Sequence, residues 1–234
     1  MYKRFWKRFW DCVLSALALI LLLPLLLLLT AVGAVAMRGN PFFTQLRPGM
    51  IDKRTGKERI FKLVKFRTMS NQKDAQGKLL PDEKRLNGYG RFLRKTSLDE
   101  LPELLCIFAG TMSFVGPRPQ LVRDMVFMDA RQRTRHTVLP GLTGLAQVSG
   151  RNTITWEEKF EYDLRYIEDG ITFAGDCKIL FRTVGKVFSA ADTVRDGTES
   201  DIDFGDWLLL RGSIDAAYYE ARQTEAKELQ KQYE

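Results

Sequence analysis

Two adjacent acidic residues, Asp99 and Glu100, precede a proline and an apolar run in the segment KTSLDELPELLCIFAGTM. One interpretation of this pair is chemical, because adjacent carboxylates can take part in a reaction. The other interpretation is structural, because the S-x-x-E pattern from Ser97 to Glu100 is a capping box and acids stabilise a helix N-terminus.

The proline in this segment weighs against capping alone. If Ser97 capped a helix, Pro102 would fall inside that helix and would remove one of its backbone hydrogen bonds. A helix that starts near Leu101 would instead leave both acids just ahead of its positive end, where a phosphate also binds well. Both acids would then be available to a ligand.

Several basic residues lie in patterns that could bind phosphate. Arg118 stands between two prolines in GPRP (116–119), so its stiff backbone is pre-organised for a bidentate phosphate contact. A turn with a solvated arginine is the alternative for this tetrapeptide alone. The glycine-rich segment at 139–152 ends near Arg151 and fits either a flexible surface loop or a lid that closes over a ligand.

Composition limits the chemistry that this chain can perform. The three cysteines are widely separated and there is one histidine, His136, so neither a disulfide framework nor a zinc site is expected. Any metal would need carboxylate ligands, which favours Mg²⁺. Neither GxGxxG nor GxxxxGK[ST] occurs, so the usual nucleotide-binding loops are absent. Residues 1–191 carry a net charge of +13 and residues 192–234 a net charge of −6, so the body should face an anionic partner.

An uncharged apolar run of 25 residues occupies positions 13–37. As a straight helix it would reach ~37 Å, enough to span a bilayer core of ~30 Å, and it exceeds the ~7–15 residues of a signal-peptide core. Pro24 lies near its middle and would divide it into two arms, neither long enough to cross. Basic residues flank both ends and mark the cytoplasmic side, which fits a re-entrant helix. A spanning helix with a tolerated proline is the alternative.

The remaining elements predict a mainly α fold with a small β-hairpin (α+β), a monotopic membrane protein with amphipathic interfacial helices. Strand-type residues at 42–46 and 59–67 predict the hairpin, with Lys65 near the end of its second strand. Helical patterns follow, among them an amphipathic one at 156–170. We expect three parts: a membrane helix at 1–37, a catalytic domain at 38–190, and an acidic linker with a C-terminal amphipathic helix at 191–234.

Four motifs occur in a fixed order after the proline-broken helix: KFRTM (65–69), SLDELPE (97–103), GTMSFVGPRP (110–119) and LPGLTGLAQVSGRN (139–152). Together they resemble the bacterial sugar transferase family, specifically the small monotopic phosphoglycosyl transferases of the PglC type. The resemblance covers about residues 1–188, and the ordered set is far more specific than any one motif.

The resemblance implies an enzyme on the cytoplasmic face of the bacterial inner membrane. Such enzymes move a phospho-sugar from a UDP-sugar to undecaprenyl phosphate and release UMP, as the first membrane step of glycoconjugate synthesis. By this likeness Asp99 is the nucleophile that forms a covalent aspartyl intermediate, and Glu100 assists it as a base or through Mg²⁺. The basic positions that would contact phosphate are Lys65, Arg94, Arg118 and Arg151. Pro24 would break the membrane helix.

The expected partners are undecaprenyl phosphate, a UDP-sugar and anionic membrane lipid, with no nucleic acid. The likeness to protein-glycosylation members favours an N-acetylated amino sugar. A non-catalytic, membrane-anchored basic module that binds anionic lipid is the competing hypothesis. Self-association, the role of residues 191–234 and the glycan pathway stay open.

Overall fold

The structure is a computed structural model that describes residues 2–150, 154–189 and 202–233. After one π-helical turn at Tyr2–Trp6, a single helix, α1 (Lys7–Ala36), carries the whole apolar run. Among the described residues it is the one helix long and apolar enough to cross a membrane. The predicted break at Pro24 is not observed, because α1 continues through this residue; a long apolar helix tolerates a proline at the loss of one backbone hydrogen bond. The re-entrant path stays a prediction, because a helix of this length also suits a span.

Most of α1 is not covered by the rest of the protein. Ile20 and Leu21, for example, are 69% and 77% exposed. A core helix of a soluble protein would bury such side chains, because leaving each of them in water costs about 1.5–3 kcal/mol. The exposed apolar surface therefore indicates that α1 lies against lipid.

Polar contacts attach both ends of α1 to the body. Near its start, Arg8 donates to the carbonyl oxygen of Ile107 (2.6 Å), and the Asp11 carboxylate accepts from the backbone N–H of Phe114 (3.1 Å). Near its end, the Tyr89 hydroxyl donates to the carbonyl oxygen of Leu29 (2.8 Å). The helix and the body are thus joined at several points along the helix.

The predicted hairpin is confirmed. Strands β1 (Phe42–Ile51) and β2 (Glu58–Phe66) pair antiparallel, with Phe42 opposite Phe66 and an irregularity between Pro48 and Ile51. The first strand is longer than the sequence indicated, because its pairing continues past Arg47 and the irregularity accommodates Pro48. The hairpin presents Lys65 near the end of β2.

The segment around the paired acids is interrupted, as the proline predicted. Helix α2 (Asp82–Arg85) is short, and α3 (Gly88–Thr96) is followed by a 3₁₀ turn at Leu98–Glu100 and then by α4 (Glu103–Ala109). Helix α4 packs directly on α1. The turn that carries both acids therefore lies beside the apolar helix.

A second pair of strands, which is parallel, was not predicted from the sequence. It joins β3 (Ser113–Val115) to β4 (Gly141–Thr143), across two short helices, α5 (Val122–Met125) and α6 (Ala130–Arg133). The chain forms these two single-turn helices and a 3₁₀ turn at Thr134–Thr137 in place of one continuous helix. The segment at 139–152 is not simply a flexible loop, because it contains β4 and α7 (Leu145–Ser149).

The later helices follow the sequence pattern except at the C-terminus. Helix α8 (Trp156–Glu168) begins with a capping box at Thr155, and α9 (Phe173–Ser189) follows it. The one C-terminal helix expected within 191–234 is instead two helices: α10 (Phe204–Leu210) and α11 (Ala216–Lys231) are separated by a turn in which Gly212 has φ 68°. The start of α10 lies in the segment expected to be linker, and the linker before residue 202 lies outside the described residues.

Candidate active site

Asp99 and Glu100 belong to a strained turn and not to a capped helix. Ser97 has φ 55°, in the left-handed region that residues other than glycine rarely adopt, and its side chain makes no capping hydrogen bond. Helix α4 starts at Glu103 with Pro102 as its N-cap residue. The capping-box interpretation is therefore wrong, and a start close to Leu101 is confirmed. Strain of this kind is frequent at functional sites.

Two cations hold the Glu100 carboxylate. Its Oε1 atom lies 2.6 Å from Nη2 of Arg118 and 2.9 Å from Nζ of Lys65. Burial by itself would raise the pKa of Glu100, but Arg118 and Lys65 outweigh burial and bring that pKa well below its ordinary value. Glu100 is consequently ionised at every pH at which the protein would work.

A third carboxylate, Glu103, shares Lys65 with Glu100. Its Oε1 lies 3.0 Å from Nζ of Lys65, and only 1% of the residue is exposed. Burial is the main reason that the pKa of Glu103 is raised. Glu103 was not predicted as a site residue, although its position three residues after Glu100 places both on one face of the helical segment.

Asp99 differs from both neighbours, because its carboxylate makes no hydrogen bond or ion pair within the part of the chain that the structure describes. Burial, and then the negative charge of Glu100, raises the pKa of Asp99 to about 6. Near neutral pH this carboxylate is ionised, unpaired and more basic than an ordinary aspartate. Those are the properties of an available nucleophile.

The backbone of the Arg118 loop is fixed by two arginines that the sequence did not single out. Arg47 donates to the carbonyl oxygen of Pro119 (3.0 Å), and Arg135 donates to that of Arg118 (2.6 Å). Arg135 is 1% exposed and pairs with the buried Asp163 through Nη2 (2.7 Å). The ion pair of Arg135 and the hydrogen bond of Arg47 hold the loop rigidly, and no local pattern in the sequence distinguishes these two residues from surface arginines.

Glycine is required where this loop crosses the β3–β4 pair. A Cβ on Gly116 would lie 2.4 Å from the carbonyl oxygen of Leu139, and one on Gly141 would lie 2.1 Å from the backbone nitrogen of Gly116. The two segments therefore approach backbone to backbone. The glycine of GPRP and the first glycine of 139–152 serve this contact.

One cleft of about 940 Å³ brings together Asp99, Glu100, Lys65, Arg94 and Arg118. Its volume lies within the ~300–1,000 Å³ of small-molecule sites. The cations at its acidic pair suit a diphosphate. Arg94 also contacts the hydroxyl of Thr68 through Nε (3.1 Å).

Two of the predicted positions are not among the described residues that line this cleft. Arg151 lies outside the described residues. Pro24 lies within α1 and is not among the residues that line the cleft.

The acidic pair fits Mg²⁺ only together with a ligand. The described residues contain no group of three or more His, Cys, Asp and Glu side chains that could hold a metal by themselves. Mg²⁺ is usually bound by one or two carboxylates plus substrate phosphates and water. Asp99, whose carboxylate is unpaired, and Oε2 of Glu100, which takes no part in the ion pairs to Lys65 and Arg118, are donors of the right class.

Comparison with known proteins identifies the family. The family model described as bacterial sugar transferase matches residues 2–190. The chain belongs to the bacterial sugar transferase family. The match includes every motif on which the resemblance rested, and it ends before α10.

Named relatives support the same assignment. The chain is 45% identical over 183 residues to EpsL of Bacillus subtilis, named as an uncharacterized sugar transferase, covering 77% of this chain and 86% of that protein. It is 34% identical over 198 residues to ExoY of Sinorhizobium fredii, an exopolysaccharide production protein, covering 77% and 84% of the two chains.

A third relative carries a substrate in its name. The UDP-glucose:undecaprenyl-phosphate glucose-1-phosphate transferase of Klebsiella pneumoniae is 38% identical over 192 residues, which is 78% of this chain. The aligned part is 40% of that protein, so this chain corresponds to less than half of its length.

Proposed function

We propose that this protein transfers a sugar 1-phosphate from a UDP-sugar to undecaprenyl phosphate and releases UMP. The observation that carries the proposal is the unpaired Asp99 carboxylate, which lies in one cleft with Lys65, Arg94 and Arg118. Two relatives named as UDP-glucose:undecaprenyl-phosphate glucose-1-phosphate transferases support it, and so does one named as a UDP-galactose-lipid carrier transferase. The described residues therefore supply a nucleophile and the positive charge that a diphosphate needs.

The reaction proceeds in two displacements. An oxygen of the Asp99 carboxylate attacks the phosphorus that bears the sugar, the bond from that phosphorus to the bridging oxygen breaks, and UMP leaves with the electron pair. A phosphate oxygen of undecaprenyl phosphate then attacks the same phosphorus, and the Asp99 carboxylate is released. The products are UMP and the sugar linked to undecaprenyl diphosphate, and no net proton is needed for the balance.

Glu100 positions cations and does not accept a proton. Its low pKa makes it a weak base, and its Oε1 atom is engaged by Lys65 and Arg118. By holding these two side chains beside Asp99, Glu100 keeps their positive charge close to the phosphate oxygens on which negative charge develops as UMP leaves. Mg²⁺, bound by Asp99, Glu100 and the phosphates of the donor, would supply further neutralisation of the diphosphate.

We propose attachment to the inner membrane with the cleft on the cytoplasmic side, and the exposed apolar surface of α1 supports the attachment itself. An acceptor with a long isoprenoid tail requires a site at the lipid boundary, and the net charge of +13 on residues 1–191 favours anionic headgroups. For a re-entrant α1, single cysteines introduced at Lys3 and Lys53 in a cysteine-free background should be labelled from the same side of the membrane. Labelling from opposite sides would establish a span and refute re-entry.

The central experiment is to incubate the purified protein with a UDP-sugar, Mg²⁺ and undecaprenyl phosphate and to identify the nucleotide released. UMP supports phospho-sugar transfer, whereas UDP would indicate ordinary glycosyl transfer and no nucleotide would favour the lipid-binding module. With the donor alone, the intact mass should rise by one phospho-sugar, and Asp99→Asn should abolish both this adduct and turnover. Turnover by Asp99→Asn at a near-normal rate would remove Asp99 from the nucleophile role.

A panel of UDP-sugar donors would identify the sugar that the protein transfers. We propose an N-acetylated amino sugar from the likeness to protein-glycosylation members, while the substrate-named relatives carry glucose and galactose in their names. The donors to compare are UDP-glucose, UDP-galactose and the N-acetylamino counterpart of each. The donor with the highest kcat/KM identifies the sugar.

A further inference from the structure

The cleft has a wall that lies outside the family domain. The family match ends at residue 190, but Asp203, which comes directly before α10, lines the same cleft as Asp99 and Arg118. The C-terminal segment is therefore more than an appendage on the surface. It contributes a charged side chain to the cleft in which the proposed chemistry takes place.

Ionic and hydrogen-bond contacts fix this residue in place. Arg123 lies between two acids of the segment, with Nη1 3.1 Å from Oδ2 of Asp203 and Nη2 3.1 Å from Oδ1 of Asp206. The buried Asp124 carboxylate accepts from the backbone N–H of Phe204 (2.8 Å). Asp203 is thus held from both sides of its position in the chain.

Aromatic packing holds the same segment against α8. The ring of Phe204 lies 5.2 Å from that of Trp156 and 5.0 Å from that of Phe160, and the indole N–H of Trp156 donates to the carbonyl oxygen of Ile202 (3.1 Å). A Cβ on Gly205 would lie 2.4 Å from the ring of Phe127, so the backbone approaches the core closely. Contacts of this density position a side chain well enough for recognition.

The chemistry of Asp203 suits a neutral ligand that carries hydroxyl groups. A carboxylate accepts hydrogen bonds and repels phosphate, and Asp203 pairs with Arg123 of α5 directly after Ile202, which contacts Trp156 of α8. Oδ2 is engaged by Arg123, the side chain is 30% exposed, and Oδ1 has no partner within the described residues. A sugar ring offers several hydroxyl donors to such an oxygen.

The comparison of relatives favours the sugar over the uridine as the group recognised. The relatives named for their donors share UDP and differ in the sugar, glucose in two and galactose in another. Recognition of the shared nucleotide belongs to the shared domain. A residue beyond that domain suits the part of the donor that changes.

We propose that Asp203 is a specificity-determining residue that accepts a hydrogen bond from a hydroxyl group of the donor sugar. This inference rests on the proposed transfer reaction. A charge-assisted hydrogen bond contributes about 1.5–3 kcal/mol, so losing it should lower kcat/KM about 10- to 100-fold.

The test compares Asp203→Asn and Asp203→Ala with Asp206→Asn in the full-length protein. Asp206 shares Arg123 and the same segment but does not line the cleft, so it is a matched control. Asp203 makes no side-chain capping bond to α10, so its replacement does not remove a helix cap. We measure kcat/KM for UDP-glucose, UDP-galactose and their N-acetylamino counterparts, inhibition by UMP, and thermal unfolding.

The expected result is a loss of about 10- to 100-fold for the preferred sugar in the Asp203 variants, with weaker discrimination among the four donors. Inhibition by UMP should not change, and Asp206→Asn should keep the wild-type preference. An equal effect in Asp206→Asn would reduce Asp203 to a structural role, and an unchanged preference in Asp203→Ala would exclude the contact. Weaker inhibition by UMP would assign Asp203 to the nucleotide.

The same measurements can refute the transfer reaction and the sugar contact independently of each other. Wild-type protein that releases no UMP from any of the four donors refutes the reaction first, and the sugar contact with it. Wild-type protein that turns over, with Asp203 variants that keep its sugar preference, refutes the sugar contact alone.

Discussion

Lys65 is the residue whose loss should separate folding from catalysis in this site. Its ammonium group lies 2.9 Å from a Glu100 oxygen and 3.0 Å from a Glu103 oxygen, and the three side chains are 16%, 19% and 2% exposed. Lys65→Met keeps the stem of the side chain and removes the charge. Glu103 then retains no cation partner among the described residues, while Glu100 keeps Arg118.

The magnitude follows from that difference. Breaking a buried ion pair by removing one partner costs about 3–5 kcal/mol, because a buried charge is left uncompensated. For a chain of this size each 1 kcal/mol lowers Tm by about 2–4 °C, so Lys65→Met should lower Tm by about 6–20 °C. The loss should be larger at pH 8 than at pH 5, because Glu103, whose pKa is already raised by burial, takes up a proton as the pH falls.

The second variant makes the reasoning testable. Lys65→Met combined with Glu103→Gln removes the orphaned charge, so most of the lost stability should return while turnover stays low, since the phosphate still lacks its cation. Thermal unfolding in detergent and UMP release measure the two properties on the same preparations. If the double variant is no more stable than Lys65→Met, the orphaned charge is not the cause of the loss, and the explanation fails.

Four further outcomes are expected. In the proposed mechanism the ionised form of Asp99 attacks, so kcat/KM for UMP release should rise with pH to a plateau with a midpoint near the pKa of about 6; a flat profile from pH 5 to 8 would contradict this. Arg135→Met should cost about 3–5 kcal/mol by chemical denaturation, because it leaves Asp163 buried without its partner, and stability within 1 kcal/mol of wild type would contradict it. Gly116→Ala should cost about 1–3 kcal/mol, because its Cβ would meet a backbone carbonyl oxygen at 2.4 Å, whereas the same change at exposed Gly88 meets no atom within 4 Å. Chelation with EDTA should abolish UMP release and Mg²⁺ should restore it; full turnover in EDTA would exclude the metal.

Local patterns predicted much of the fold. The hairpin, the interruption near Pro102 and the amphipathic helix α8 each follow from spacing, turn residues or a proline, which act over a few residues. The parallel pair β3–β4 could not be predicted in this way, because its strands are three residues long and 25 residues separate Val115 from Gly141. Its stability comes from packing between distant segments and not from local propensity.

The candidate site shows the same division. The structure brings together four residues that stand in recognisable motifs: Lys65, Asp99, Glu100 and Arg118. Arg135 stands in no such motif. Its importance comes from a partner 28 residues away and from complete burial, and neither property is visible in one sequence. The role of Asp203 likewise depends on a C-terminal segment whose docking no local pattern indicates.

The contacts along α1 have a consequence for how membranes of different thickness would act on this protein. Arg8, Asp11 and Tyr89 fasten the helix to the body near both of its ends, and α4, which follows the acidic turn, packs on it. If α1 moved deeper into a bilayer, Asp99 would therefore move toward the headgroups by a corresponding distance. Thinner or thicker lipid would change how far an acceptor's phosphate must rise to reach that carboxylate.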